Sequence, residues 1–134
     1  MKLPAHALFR KELSLLVWKP HGILDQALVN EIVAFLDAAE ERAQKPFNRF
    51  VDLSALDAVD LNFNFVFHIA LHRRLAFESH PQVKTAFYVT SPDTAHYAKL
   101  HAMLTDHSPL RVSLFTECDA AAKWLGVSVE ALRV

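Results

Sequence analysis

Hydrophobic residues follow two spacings along the chain, which predict strands separated by helices. Short runs of apolar and β-branched residues predict strands, whereas apolar residues three and four positions apart predict amphipathic helices. The predicted strands are residues 6–11, 13–18, 49–53, 84–90 and 111–115. The predicted helices are residues 26–44, 61–79, 92–106 and 117–125, followed by a helical turn at 128–132. This order predicts an α/β fold with a mixed, mostly parallel sheet of about five strands and about four helices.

Polar residues and glycine stand where the predicted helices begin and end. Their side chains or backbone preferences suit helix caps. The predicted N-caps are Asp25, Asp60, Ser91 and Thr116, and the predicted C-cap is Gly126. Residues 54–59, which lie between a strand and a helix, are predicted to form a loop.

Length, charge and residue usage exclude several classes of protein. The 134 residues predict a single domain spanning 1–134, and 52% hydrophobic residues predict a folded core. The net charge of −1 does not favour nucleic acid as a partner, and two glycines argue against a glycine-rich phosphate loop. The single Cys118 cannot form an internal disulfide, so a cytoplasmic protein is expected. No apolar stretch is long enough to predict a membrane span, and no cofactor is predicted.

Several short motifs occur in an order that resembles the STAS domain, in its SpoIIAA-like branch of anti-sigma-factor antagonists. The similarity extends from about Leu13 to Gly126. The motifs are Gly22–Asp25, Val51–Ser54, Val59–Asp60, Val112–Thr116 and Ala120–Leu125. The resemblance implies a non-enzymatic module that binds a protein partner.

The chain departs from this family at the start of the second helix. The phosphorylated antagonists carry Asp-Ser-Ser-Gly there, whereas this chain has Asp60-Leu61-Asn62-Phe63. Asn62 has no hydroxyl group, so a kinase cannot operate a switch at that position, although its side chain can cap the helix or bind a partner. The predicted partner-binding surface is the loop and helix start, with Ser54, Asp57, Asp60, Asn62 and Phe63.

The second predicted helix is apolar over more than one face. A helix on one side of a sheet normally has a narrower apolar stripe, so this one indicates an additional covering. One interpretation is a thick core under a neighbouring helix, and another is a homodimer surface. A third is a site for an apolar small molecule, which would make the domain a carrier or sensor. The residues predicted for the dimer or ligand surface are Phe63, Phe67, Leu71 and Phe77.

The polar residues do not form a recognised catalytic or metal-binding motif. His68 and His72 share one helix face, as a two-histidine metal site requires, but the HExxH pattern is absent and no further ligand stands at a suitable spacing. Asp52 and Asp60 follow a strand but have no third ligand, which favours capping or solvated carboxylates. The sequence therefore predicts that the protein is not an enzyme.

The basic residues and the cysteine are predicted to have no chemical role. Arg49, Arg73, Arg74 and Lys84 are interpreted as a solvated surface, because no aromatic residues are interleaved with them. Cys118 stands near the start of the last helix and is predicted to be inert.

Overall fold

The computed structural model describes residues 3–76 and 82–134. In chain order the strands are β1 (Ala7–Arg10), β2 (Leu15–Trp18), β3 (Gly22–Asp25), β4 (Asn48–Asp52), β5 (Leu56–Asp60), β6 (Val83–Tyr88) and β7 (Leu110–Phe115). The helices are α1 (Gln26–Ala43), α2 (Phe63–Ala76), α3 (Pro92–Leu104) and α4 (Cys118–Leu125), and short 3-10 turns cover Lys11–Leu13 and Val129–Leu132. Among these residues, every helix is too short or too polar to traverse a bilayer.

The main sheet has five strands in the order β1-β2-β4-β6-β7. β1 and β2 are antiparallel, and every later pair is parallel. Each parallel pair is joined through a helix, as right-handed crossover connections require. The prediction of a mixed, mostly parallel sheet with four helices is therefore confirmed.

A second, smaller sheet was not predicted. β3 and β5 pair in parallel, with Gly22 opposite Leu56 and Asp25 opposite Asp60. The predicted loop at 54–59 is therefore wrong, because residues 56–60 are strand β5. β5 contains two exposed aspartates and no run of buried residues, so its own sequence carries little strand signal. Its pairing with β3, which is distant in sequence, gives it strand structure.

The main sheet is covered on both faces, and this explains why β2 is apolar throughout. Leu16 and Trp18 of β2 point to the side of α1 and α3. Leu15 and Val17 point to the opposite side, where they pack against α4 and the C-terminal turn. Alternate residues of a strand face opposite sides, so a strand buried on both faces has no polar positions.

The observed helix caps match the predicted ones at three helix ends and differ at two. Asp25 and Ser91 accept hydrogen bonds from the backbone N–H groups of α1 and α3, and Gly126 ends α4 with φ +76°. The cap of α2 is Asn62, whose Oδ1 accepts from Phe65 N at 2.8 Å, and not Asp60. Asp60 belongs to β5, so α2 begins two residues later than predicted. Glu117 rather than Thr116 occupies the N-cap position of α4, without a side-chain hydrogen bond.

Candidate functional site

A cavity of about 140 Å³ lies between the main sheet and the three helices α1, α2 and α3. β2, β4 and β6 form its floor, and residues near β3 and β5 close one side. Its lining is predominantly aliphatic and aromatic. Many of its lining residues belong to the apolar core on the face of the sheet opposite α4.

Helix α2 forms the roof of the cavity. Phe65, Val66 and Ile69 line it from above, with Val66 only 6% exposed. The start of α2 is held to α3 by a hydrogen bond in which the Tyr97 hydroxyl donates to Leu61 O at 2.9 Å. Together with the Asn62 cap, this contact fixes where the roof begins.

One end of the cavity is polar, and we refer to Arg49, Arg73, Thr85 and His101 as the polar end. Arg49 stands opposite Thr85 on neighbouring strands β4 and β6. Arg73 comes from α2 and His101 from α3. The imidazole of His101 meets the ring of Phe87 edge-on, at 6.0 Å between centroids.

The two arginines of the polar end belong to an ion network that joins α1, β4 and α2. Glu40 of α1 accepts from Arg49 Nη2 at 2.9 Å and from Arg73 Nη2 at 3.1 Å. Arg73 also contacts Asp37, which in turn accepts from His72 Nε2 at 2.7 Å. Because both arginines are paired with carboxylates, their burial does not leave an uncompensated charge in the core.

The interpretation of the basic residues as a solvated surface is wrong for two of them. Arg49 is 4% and Arg73 is 3% exposed. Burial lowers the pKa of Arg49 to about 10, and the nearby Arg73 acts in the same direction, while Glu40 opposes the shift. Arg49 therefore remains a cation at neutral pH. Arg74 and Lys84 instead donate to backbone carbonyls of Asp106 and Trp124, at 2.9 and 2.8 Å.

The imidazole of His101 is neutral at physiological pH. Burial lowers its pKa to about 4, and the positive charges of Arg73 and Arg49 lower it as well. Both arginines therefore act on this ring as nearby positive charges.

Two buried polar atoms in the described part of the chain have no hydrogen-bond partner, and both belong to residues that line the cavity. They are Trp18 Nε1 and Thr85 Oγ1. Each residue is 4% exposed, so bulk solvent does not satisfy these groups. A buried donor without a partner costs about 1–3 kcal/mol, which makes the pair an unusual feature of a folded core.

The outer face of α2 carries a row of exposed apolar side chains, which we call the outer stripe. Phe63, Phe67, Leu71 and Leu75 stand four residues apart and are 56%, 41%, 43% and 61% exposed. The rings of Phe63 and Phe67 stack at 6.1 Å between centroids. Three of these residues are among those predicted for a dimer or ligand surface, and their role there stays a prediction. Phe77, the fourth predicted residue, lies outside the described residues.

The residues predicted to bind a partner are all exposed and lie around the start of α2. Asp57 and Asp60 are on β5, and Asn62 and Phe63 begin the helix. Ser54 lies in the turn after β4, where its hydroxyl donates to Asp52 Oδ1 at 2.6 Å. A shallow pocket separates Asp60 and Asn62 from the N-cap of α1. Asp60 does not act as a helix cap, so its carboxylate is exposed for other contacts.

The histidine pair and the cysteine considered in the sequence analysis do not form a metal-binding or catalytic group in the described residues. His72 pairs with Asp37, whereas His68 packs edge-on against Phe67 at 5.9 Å. Within residues 3–76 and 82–134, no three histidine, cysteine, aspartate or glutamate side chains are grouped to hold a metal ion. Desolvation raises the pKa of Cys118, with Asp52 and Asp119 acting in the same direction, which disfavours a reactive thiolate.

The polar end of the cavity was missed by sequence reasoning. Arg49 is the second residue of β4 and is directly followed by the buried apolar pair Phe50 and Val51. A charged residue at the start of a buried strand, together with Asp37 and Glu40 on the inner side of α1, was the available signal. The network needs α2 to bring Arg73 to the same place, and sequence spacing does not reveal that contact.

Comparison with known proteins identifies the fold alone. No protein-family model matches the chain, and no curated protein matches it at a significant level. A crystal structure of an uncharacterized protein from the DUF3478 family, from Shewanella loihica PV-4, is similar with a TM-score of 0.55 and 17% sequence identity. The match covers 83% of each chain, and that protein is described as having a SpoIIAA-like fold. The structure of the present chain is therefore SpoIIAA-like.

Proposed function

We propose that this SpoIIAA-like chain is a non-enzymatic binding domain that holds a small apolar molecule beneath α2. The observation that carries the proposal is the cavity of about 140 Å³ with its predominantly apolar lining. Protein cores are normally packed with few voids larger than a water molecule. A cavity of this size is therefore a costly feature, and a bound apolar molecule would restore the missing contacts.

The size of the cavity limits the ligand. An apolar cavity of about 150 Å³ takes benzene or xenon and otherwise stays dry. The molecule bound here should therefore have an apolar part of about one six-membered ring. A carrier or sensor for such a molecule is the function that this geometry supports best.

Toluene binding to the purified protein tests the proposal. Ala98 of α3 is 4% exposed and lines the cavity, so Ala98→Leu should fill part of it. We expect toluene to shift the amide NMR signals of cavity-lining residues in the wild-type protein and to bind Ala98→Leu at least about tenfold more weakly, because occupied volume excludes the ligand.

Ala58→Leu, at an exposed position on β5, is the matched control and should bind toluene as the wild-type protein does. Native mass spectrometry of the freshly purified chain should also reveal a co-purified small molecule. Absence of toluene binding to the wild-type protein, with no co-purified molecule, would contradict the proposal.

A second candidate function is protein interaction, and the outer stripe favours it. Its four exposed apolar residues repeat every four positions along a helix of about 21 Å. A straight stripe of this kind can pair with itself across a two-fold axis, so a second copy of the chain is the proposed occupant. Phe63 is also one of the residues predicted for the partner-binding tip, with Ser54, Asp57, Asp60 and Asn62, so the two predicted surfaces share this residue.

A further inference from the structure

We infer that the molecule bound in the cavity is a small amphipathic carboxylate, with its carboxylate at the polar end and its apolar part under α2. This inference rests on the proposed binding function and specifies the class of ligand. It follows from the polar groups that line the cavity, from their charge and from the space available.

Two polar groups of the lining are buried hydrogen-bond donors, one on Trp18 and one on Thr85. The indole N–H of Trp18 can only donate, and the hydroxyl of Thr85 can donate one hydrogen. Both atoms are buried without a partner in the described residues. An acceptor oxygen at the polar end would complete the hydrogen bond of Thr85, and a carboxylate offers two such oxygens, whereas Trp18 lies two residues further along the sheet, opposite Val51.

The charges around the cavity favour an anion. Arg49 and Arg73 line it, whereas no aspartate or glutamate of the described residues does. Their partner carboxylates, Glu40 and Asp37, lie on α1 outside the lining. The two arginines therefore line the cavity while these carboxylates do not, and their positive charge lowers the pKa of His101. A ligand carboxylate next to Thr85 would lie beside Arg49, which stands opposite Thr85 on the neighbouring strand, in a site of low dielectric.

The shape of the cavity has room for the carboxylate and for the apolar part of such a ligand at different ends. Thr85 and Arg49 are opposite each other on β6 and β4, while Phe87 and Val51 follow two residues later on the same face. A molecule with its carboxylate at Thr85 therefore places its carbon atoms over Phe87 and Val51, beneath the aliphatic side chains of α1 and α2. Benzoate has a suitable size, since the cavity is close to that which accepts benzene.

Three probes of one shape test the inference on the full chain at neutral pH. Benzoate is charged, benzyl alcohol carries a neutral oxygen and toluene has no polar group. We expect benzoate to bind the wild-type protein about tenfold more tightly than either of the others, which is the effect of one charge-assisted hydrogen bond. Thr85→Val should lose that tenfold for benzoate while its toluene affinity is unchanged. Thr85→Ser, which keeps the hydroxyl, should retain tight benzoate binding.

Thr90→Val is the matched control, because Thr90 is exposed beyond the end of β6. It should bind all three probes like the wild-type protein. If Thr85→Val does not fold, the ratio of benzoate to toluene affinity in the wild-type protein and in Thr85→Ser decides the question, and a ratio near one in both proteins would overturn the inference.

The outcomes distinguish this inference from the proposed function. Toluene binding with no preference for benzoate, or with the same preference in Thr85→Val, would overturn the carboxylate inference and leave the apolar cavity as proposed. A preference for benzyl alcohol equal to that for benzoate would assign a neutral ligand and would also overturn it. Failure of every probe to bind would overturn both.

Discussion

His101 shows how a single residue makes the stability of the domain depend on pH. Its pKa is about 4 in the folded protein, compared with 6.5 for an unperturbed histidine. The unfolded chain therefore takes up a proton at a higher pH than the folded chain does. The contribution of the neutral ring to stability is fully present above pH 6.5 and is lost as the pH falls toward 4.

We expect the free energy of unfolding to decrease by at most about 3 kcal/mol between pH 7 and pH 4 because of this residue. Urea denaturation of His101→Gln at several pH values measures the effect, since glutamine cannot be protonated. The variant should lose less stability than the wild-type protein over that range. His96→Gln, at an exposed position on the same helix, is the control and should follow the wild-type curve. Parallel curves for His101→Gln and the wild-type protein would contradict the assignment.

At the scale of elements, the N-cap residue determines where α2 begins. Asn62 accepts the hydrogen bond from Phe65 N, and Tyr97 holds the adjacent Leu61 carbonyl. Capping and docking had both been open interpretations for Asn62 on sequence grounds. In the structure Asn62 is the N-cap of α2, and Asp60 is not a helix cap.

Alanine substitutions distinguish the contributions of Asn62 and Asp60 to stability. Asn62→Ala should reduce the free energy of unfolding by about 1 kcal/mol, because the N-terminus of α2 loses its side-chain cap. Asp60→Ala should change it by less than about 0.5 kcal/mol, because its exposed side chain caps no helix. Urea denaturation measures both. An equal loss for the two variants would show that Asp60 has a stabilising role that the fold does not explain.

The sequence predicted the elements with strong periodicity and missed those that depend on distant pairing. Strand β2 was correctly placed because its residues are buried on both faces, so that they form a continuous apolar run. Strand β5 was missed because its side chains are half exposed and, within the described residues, it pairs only with β3, more than thirty residues earlier. The polar end was missed for the same reason, since Arg49, Arg73 and Thr85 come from three separate elements.

At the scale of the whole molecule, the inner and outer faces of α2 have separate roles. Its inner face completes the core and the cavity, whereas the outer stripe has no covering element among the described residues. The two proposed functions therefore use opposite sides of one helix. They are compatible, because a second copy on the outer stripe does not occupy the cavity.

Light scattering tests the assembly. We expect a mass of about twice the 15.1 kDa of one chain, falling to a single chain in the double variant Phe67→Asp with Leu71→Asp, because two charges would be buried in the paired surface. Ile23→Asp, which introduces a charge at another exposed apolar position on β3, should leave the mass unchanged. A wild-type protein that remains monomeric at high concentration would contradict dimer formation through this stripe.

The small sheet of β3 and β5 also has a consequence for the order of folding. A parallel pair cannot form from a local turn, and two strands alone are marginally stable. The segment between Gly22 and Leu56 contains α1 and β4, so β3 and β5 meet as this segment packs on β2. We therefore expect the entrance to α2 to be organised late, once the central strands have assembled. A nascent chain would acquire its scaffold first and its binding region last.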